Sequence, residues 1–202
     1  MKNSLVKDAL ILTLITLVAG VALGLVYEIT KGPIAVAEAA AVAAAYQEVF
    51  EDADSFNDVD GFDAEAASAY VQSQGYTDDD IDNCVQAVDA SGNPLGYVIT
   101  VTSHAGYGGD ITFSVGIRNE GTVNGYSITS ISETAGLGMK ATEEKFSSQF
   151  KGIATGVYEV TKSTAGENEI EAISGATITS RAMTYGVNAA IAYFNNMTGG
   201  GQ

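Results

Sequence analysis

The chain is short of the residues that build metal centres, disulfides and basic surfaces. Of its 202 residues, one is cysteine (Cys84) and one is histidine (His104). A single cysteine excludes an intrachain disulfide, and without a cysteine cluster there is no set of thiolates for an iron–sulfur centre or a structural zinc. No lipobox-like cysteine follows the first apolar stretch either, so a lipid anchor is not expected. Lysine and arginine total 9 against 25 acidic residues, a formal net charge of −16. Lys2, Lys7 and Lys31 against Asp8 and Glu28 leave residues 1–31 at +1, so the remainder carries −17. Such a surface repels nucleic-acid phosphates and anionic lipid, and it suits either simple solubility or docking to a basic partner.

What the chain does have is one long apolar run. Ala9 to Tyr27 is broken only by Thr13, Thr16 and small glycines, and its length is close to the ~20 residues that a spanning helix needs. It reads as a single membrane crossing. Small-residue triplets between Ala35 and Ala45 imitate a leader cleavage site, which keeps a removed signal sequence as the alternative. Lys2 and Lys7 before the run place the N-terminus in the cytoplasm and the rest of the chain outside it.

Downstream, the alanine-rich Ile34 to Phe50 reads as a helix leaving the membrane, Glu51 to Gly61 as an acidic turn, and Ala64 to Gln74 as a short helix ended by Gly75. A calcium loop at Asp58-Val59-Asp60-Gly61 fails on register, because aligning Gly61 puts Phe56 and Ala67 at ligand positions. Asp78-Asp79-Asp80 reads as a solvated loop. Beyond Asp82 the pattern turns to strands: Tyr97 to Thr102, then Ile111 to Ile117 and Val123 to Ile131 joined by a turn at Asn119-Glu120-Gly121. A short helix at Thr142 to Phe150, a strand at Gly156 to Thr161, and an amphipathic helix after Ser180 complete the set. This segregated order predicts an α+β fold with a mainly antiparallel sheet and flanking helices. The expected organisation is a cytoplasmic tip and transmembrane helix (1–31), a helical membrane-proximal region (32–84), the main domain (85–197) and a flexible tail (198–202).

Three loops are candidates for one site. The first is His104-Ala105-Gly106-Tyr107-Gly108-Gly109, the second Glu133-Thr134-Ala135-Gly136-Leu137-Gly138-Met139-Lys140, the third Ser174-Gly175-Ala176-Thr177-Ile178-Thr179-Ser180. Glycines at strand ends let a planar ligand approach backbone N–H groups, although turns use glycine for their own geometry. The third loop stands at a helix start, where free N–H groups and the helix dipole favour an anion; an ordinary hydroxyl N-cap is the competing reading. His104 reads as a surface or turn residue rather than a base. Tyr107 either packs or stacks on a ligand, and Arg181 either reaches the anion or faces solvent.

Together these segments resemble the FMN-binding domain of bacterial membrane electron-transfer complexes, above all the G subunit of the Rnf complex and then the C subunit of the sodium-translocating NADH:quinone reductase. The resemblance covers the anchor and most of Tyr97 to Phe194, and Ile34 to Cys84 adds little to it. It implies FMN attached by a phosphoester bond to Thr177, within Ser174-Gly175-Ala176-Thr177, by a separate flavin transferase that uses FAD and magnesium. It also implies that Glu133, Thr134, Gly136, Leu137 and Gly138 form a flavin-side loop, with Leu137 against the ring. This chain has Glu171 where the family usually has aspartate, and Ala135 where proline is common. Thr179 is the rival attachment residue, since spacing alone does not choose between the two hydroxyls.

The function so implied is electron relay through covalent FMN within an ion-translocating ferredoxin:NAD oxidoreductase, alongside other membrane subunits, with no catalytic residue, metal site or nucleic-acid partner of its own. A C-type quinone reductase subunit and a free-standing extracellular flavoprotein are the neighbouring alternatives. A cofactor-free membrane-anchored module is the alternative of another class.

Overall fold

The computed structural model describes residues 2–199. It divides into two compact units, one ending at Ala41 and one beginning at Val42. The first consists of the greater part of helix α1 (Lys2–Val49). Between Val6 and Val49 this helix is long and apolar enough to cross a membrane. Its polar side chains are turned inward on the backbone: the hydroxyls of Thr13, Thr16 and Thr30 donate to the carbonyls of Ala9, Leu12 and Val26 at 2.9, 3.1 and 2.9 Å. That satisfies each hydroxyl without water. Glu28 and Lys31 pair at 2.5 Å near the end of the apolar run.

Two expected boundaries move. The spanning helix and the helix expected over Ile34 to Phe50 are one element, because α1 continues through Pro33 to Val49. The boundary placed at 84/85 falls inside a strand.

The second unit is built on a six-stranded antiparallel meander, β1 (Ser55–Asp58), β2 (Asp79–Val88), β3 (Pro94–Ser103), β4 (Ile111–Arg118), β5 (Thr122–Ser130) and β6 (Ile153–Ala154), in that spatial order. The tight β4–β5 turn carries Gly121 at φ 80°. A second sheet pairs β7 (Glu159–Thr161) with β8 (Glu169–Glu171) in parallel. The α+β architecture expected from the sequence is the one observed. The region expected as a helix at Thr142 to Phe150 is instead α3 (Glu144–Ser147) between two 3-10 turns, Gly138–Thr142 and Ser148–Phe150. The strand expected at Gly156 to Thr161 is confined to β7.

Both sheet faces are covered over part of their area. On one lie α2 (Ala64–Ser73) and α4 (Thr177–Thr198), with Ile99, Val101, Ile111, Phe113, Val115 and Ile117 beneath them. Ala182, Met183, Val187, Ala190, Ile191 and Phe194 of α4 are buried there. Each large side chain so buried stabilises the fold by about 1.5–3 kcal/mol. The fit is close at Gly186, where an added Cβ would stand 2.6 Å from Phe113 Cζ. On the other face, the last turn of α1 places Tyr46, Val49 and Phe50 against Val85, Ala87 and Val98. Gly116 makes room for it, since a Cβ there would lie 2.8 Å from Val49 Cβ. Asn124 Nδ2 donates to the Val49 carbonyl at 2.8 Å, and Ser127 Oγ to Glu48 Oε2 at 2.5 Å.

One aspartate is not where its neighbours suggest. Asp79, expected in a solvated loop, opens β2 and is 2% exposed beneath α4. Its Oδ1 and the Oγ of Ser103, its cross-strand partner, have no hydrogen-bond partner. Burial pushes the carboxyl up to about 6 from 3.8, with the nearby Ser103 hydroxyl opposing. The protonated form is therefore favoured by folding, so the cost of ionising Asp79 is absent below about pH 4 and fully present above about pH 6. That cost is on the order of 3 kcal/mol. Asp79→Asn is expected to be more stable than the wild type above pH 6, with the gap closing below pH 4, in thermal unfolding of the detergent-solubilised protein.

Candidate functional site

The site begins with the chain reversal between β8 and α4. Gly175 takes φ 79°, a conformation that favours glycine. The Ala176 N–H donates to the Ile173 carbonyl at 2.9 Å, closing the turn. Ser180 Oγ fixes it from the helix side: it donates to the Ala176 carbonyl and accepts from the Ile173 N–H, both at 2.9 Å. The Ser180 hydroxyl is fully buried and is a structural latch.

α4 then starts at Thr177 with Ala176 as its N-cap, and no side chain caps it. The ordinary hydroxyl-cap reading is therefore not what the turn adopts. The N–H groups of Thr177, Ile178 and Thr179 belong to the first turn, which has no intrahelical acceptors for them. They stand at the positive end of a 22-residue helix.

This helix start opens into a cavity of about 540 Å³ lined by Tyr107, Glu133, Thr134, Leu137, Gly138, Gly175, Ala176, Thr177, Ile178 and Thr179. All three candidate loops thus meet. Three of the lining side chains are large, apolar or aromatic and exposed: Tyr107 at 71%, Ile178 at 51% and Leu137 at 42%. Each comes from a different loop, so they present one hydrophobic wall to a ligand. No lysine or arginine lines the cavity, and Arg181 is exposed. The two candidate hydroxyls differ in access: Thr177 is half-buried, whereas Thr179 is 1% exposed.

The remaining expected residues divide. Gly136, at φ 76°, shapes the second loop, in which the Thr134 carbonyl accepts from Leu137 and Met139 N–H at 3.1 and 3.2 Å. It is not among the cavity's lining. Ser174 faces a neighbouring cavity of about 310 Å³ with Lys140, Lys145, Gln149 and Glu171. There the Gln149 amide pairs with the Glu171 backbone, accepting at 2.7 Å and donating at 3.2 Å, as an extra strand would.

Two residues of the candidate loops take roles that their local sequence does not specify. Ile178 lies off the apolar stripe of α4, and that misplacement was its only signal. His104 closes the base of the first loop, its ring nitrogens 2.9 Å from Asp110 Oδ1 and 3.0 Å from Asp80 Oδ2. Hydrogen bonds to Asp110 and then Asp80 raise its pKa to about 9 from 6.5.

Residues 106–192 match the FMN-binding domain model, and residues 1–49 match the RnfG N-terminal region. The chain is 34% identical over 195 residues to the G subunit of the Na(+)-translocating ferredoxin:NAD(+) oxidoreductase complex of Acetobacterium woodii, covering 95% of this chain and 92% of that one. It is 32% identical over 200 residues to the G subunit of the proton-translocating complex of Clostridium ljungdahlii, covering 98% and 96%. The chain belongs to the family of these G subunits. The full-length matches take in residues 34–84, where the motif resemblance is thin. Among solved structures, NqrC of Shewanella oneidensis shares the fold, with TM-score 0.51 and 21% identity over 60% of this chain and 62% of that one.

The His104 clamp has a pH signature. Because its pKa is raised by folding, its contribution is complete below about pH 6.5 and is lost as pH passes about 9. His104→Ala is expected to lower the melting temperature at pH 6, with the difference from wild type shrinking by pH 10.

Proposed function

We propose that this protein is an electron-carrying subunit of a membrane-bound, Rnf-type ion-translocating ferredoxin:NAD oxidoreductase complex, relaying electrons through FMN joined to Thr177 Oγ1 by a phosphoester bond. Membership of the family of G subunits supports the complex. The observation that carries the site is a half-buried threonine at the uncapped start of α4, opening into a cavity walled by Tyr107, Leu137 and Ile178.

The residues present fit the group. A phosphoryl group on Thr177 lies at the helix N-terminus, where the free amides and dipole favour negative charge. The exposed apolar wall suits a flat aromatic ring, and glycines at 138 and 175 keep the backbone close to it. FMN, when bound, supplies the redox chemistry; the protein holds it, orients it and limits water around it. With no basic side chain lining the cavity, the phosphate lacks the charge-assisted contacts that hold a freely exchanging nucleotide. A covalent tether makes retention independent of affinity by keeping the local concentration high. Among the described residues no basic side chain is hydrogen-bonded to the Thr177 hydroxyl, so attachment falls to a separate flavin transferase.

In this reading α1 anchors the protein in the cell membrane, its N-terminus in the cytoplasm and the flavin domain outside. The other subunits supply the nicotinamide site and the ion pathway, because the apolar run from Ala9 to Tyr27 carries no ionisable residue except its terminal tyrosine.

Co-expression with a competent flavin transferase tests the proposal. The denatured wild type is expected to show in-gel flavin fluorescence and an added FMN mass. Thr177→Ala is expected to lose both and Thr179→Ala to keep both; the reverse pattern overturns the assignment.

A further inference from the structure

We propose that Glu133 is a positioning residue that ties the first glycine loop to the second and, through that tie, sets the wall and the charge of the flavin cavity; the flavin part of this rests on the function proposed above. Glu133 lies in the second loop and is 8% exposed. Its Oε1 accepts from the N–H groups of Tyr107 and Gly108 in the first loop, at 2.7 and 3.2 Å, across 26 and 25 residues of sequence. Two amides converging on one acceptor oxygen tie the loop at two adjacent residues. Tyr107, whose exposed ring forms part of the cavity wall, is one of the two residues so held.

The surroundings are shaped around this carboxylate. Gly138 packs on Oε2 too closely to admit any side chain, and Thr179 Oγ1 stands 2.7 Å from the place a Cβ at Gly138 would take. At Gly106 a Cβ would lie 2.1 Å from the Gly109 carbonyl oxygen and 3.1 Å from Oε1. Gly138 thus leaves the space that Glu133 occupies, and the buried Thr179 hydroxyl closes it from α4.

Among the described residues no lysine, arginine or histidine pairs with Glu133. Among the described residues its only hydrogen-bond partners are backbone amides on Oε1, while Oε2 accepts no hydrogen bond from them and belongs to a residue lining the cavity. A negative charge at that wall opposes the gain of negative charge by a flavin on reduction. Glu133 therefore acts in two separable ways, by its shape and acceptor on the loop, and by its charge on the cofactor's potential.

Substitutions separate them. Glu133→Gln keeps the volume and an Oε1 that accepts both amides but removes the charge. Gly138→Ala leaves the carboxylate in the chain but pushes it from its seat. Amide hydrogen exchange at Tyr107 and Gly108 is measured on the full-length protein with and without flavin, and the midpoint potential on the flavin-loaded form. Glu133→Gln is expected to exchange within about threefold of wild type and to have a higher midpoint potential. Gly138→Ala is expected to exchange about tenfold faster or more at both amides, the factor carried by one to two lost hydrogen bonds. Unchanged exchange in Gly138→Ala overturns the tie, and an unchanged or lower potential in Glu133→Gln overturns the charge effect. Because exchange is read without flavin as well, an absence of bound FMN in the wild type counts against the proposed function and leaves the loop tie separately decided.

Discussion

The seating of α4 on the sheet is the constraint on which the site depends. The helix lies close because Gly186 admits the edge of Phe113, and its apolar face from Ala182 to Phe194 is buried against the strands. Asn188 extends the grip, exchanging hydrogen bonds with the Tyr158 backbone at 3.0 and 2.9 Å. With the body of the helix held in this way, its first residue is placed as well. Ser180 converts that placement into a sharp turn, and Thr177 becomes the residue at the opening of the cavity.

Rigid elements therefore supply the helix end, while loops supply the ligand wall. Those loops do not hold themselves: His104 closes the first at its base, and the Glu133 carboxylate bonds its tip to the second. The result is an acidic domain whose most exposed large apolar side chains include three gathered at one cavity mouth. Apolar surface of this kind marks a place where something binds.

Much of this was legible in the residues. Alternation at 111–117 and 123–131 specified the hairpin, and the α4 stripe specified which face is buried, because period-2 and period-3.6 patterns report burial directly. The Ser174–Ser180 and Glu133–Gly138 segments indicated where to look. Other features were hidden for physical reasons. Pro33 is a local signal for a helix boundary, yet the helix runs through it. Asp79 sits between two aspartates, and only the β2–β3 register and the packing of α4 bury it. Glu133, expected in the flavin-side loop, lines the cavity, and its hydrogen bonds also reach across 25 and 26 residues to backbone amides. No local pattern encodes a contact of that span.

The central claim is that one threonine oxygen, the reachable one of two, carries the flavin. Peptide mapping by tandem mass spectrometry of the mature membrane protein tests it most directly, on the fragment between Lys162 and Arg181. The account predicts an FMN phosphoester on Thr177, with Thr179 unmodified in the same fragment. A modification on Thr179, or a fragment that carries none after co-expression with the transferase, would contradict it.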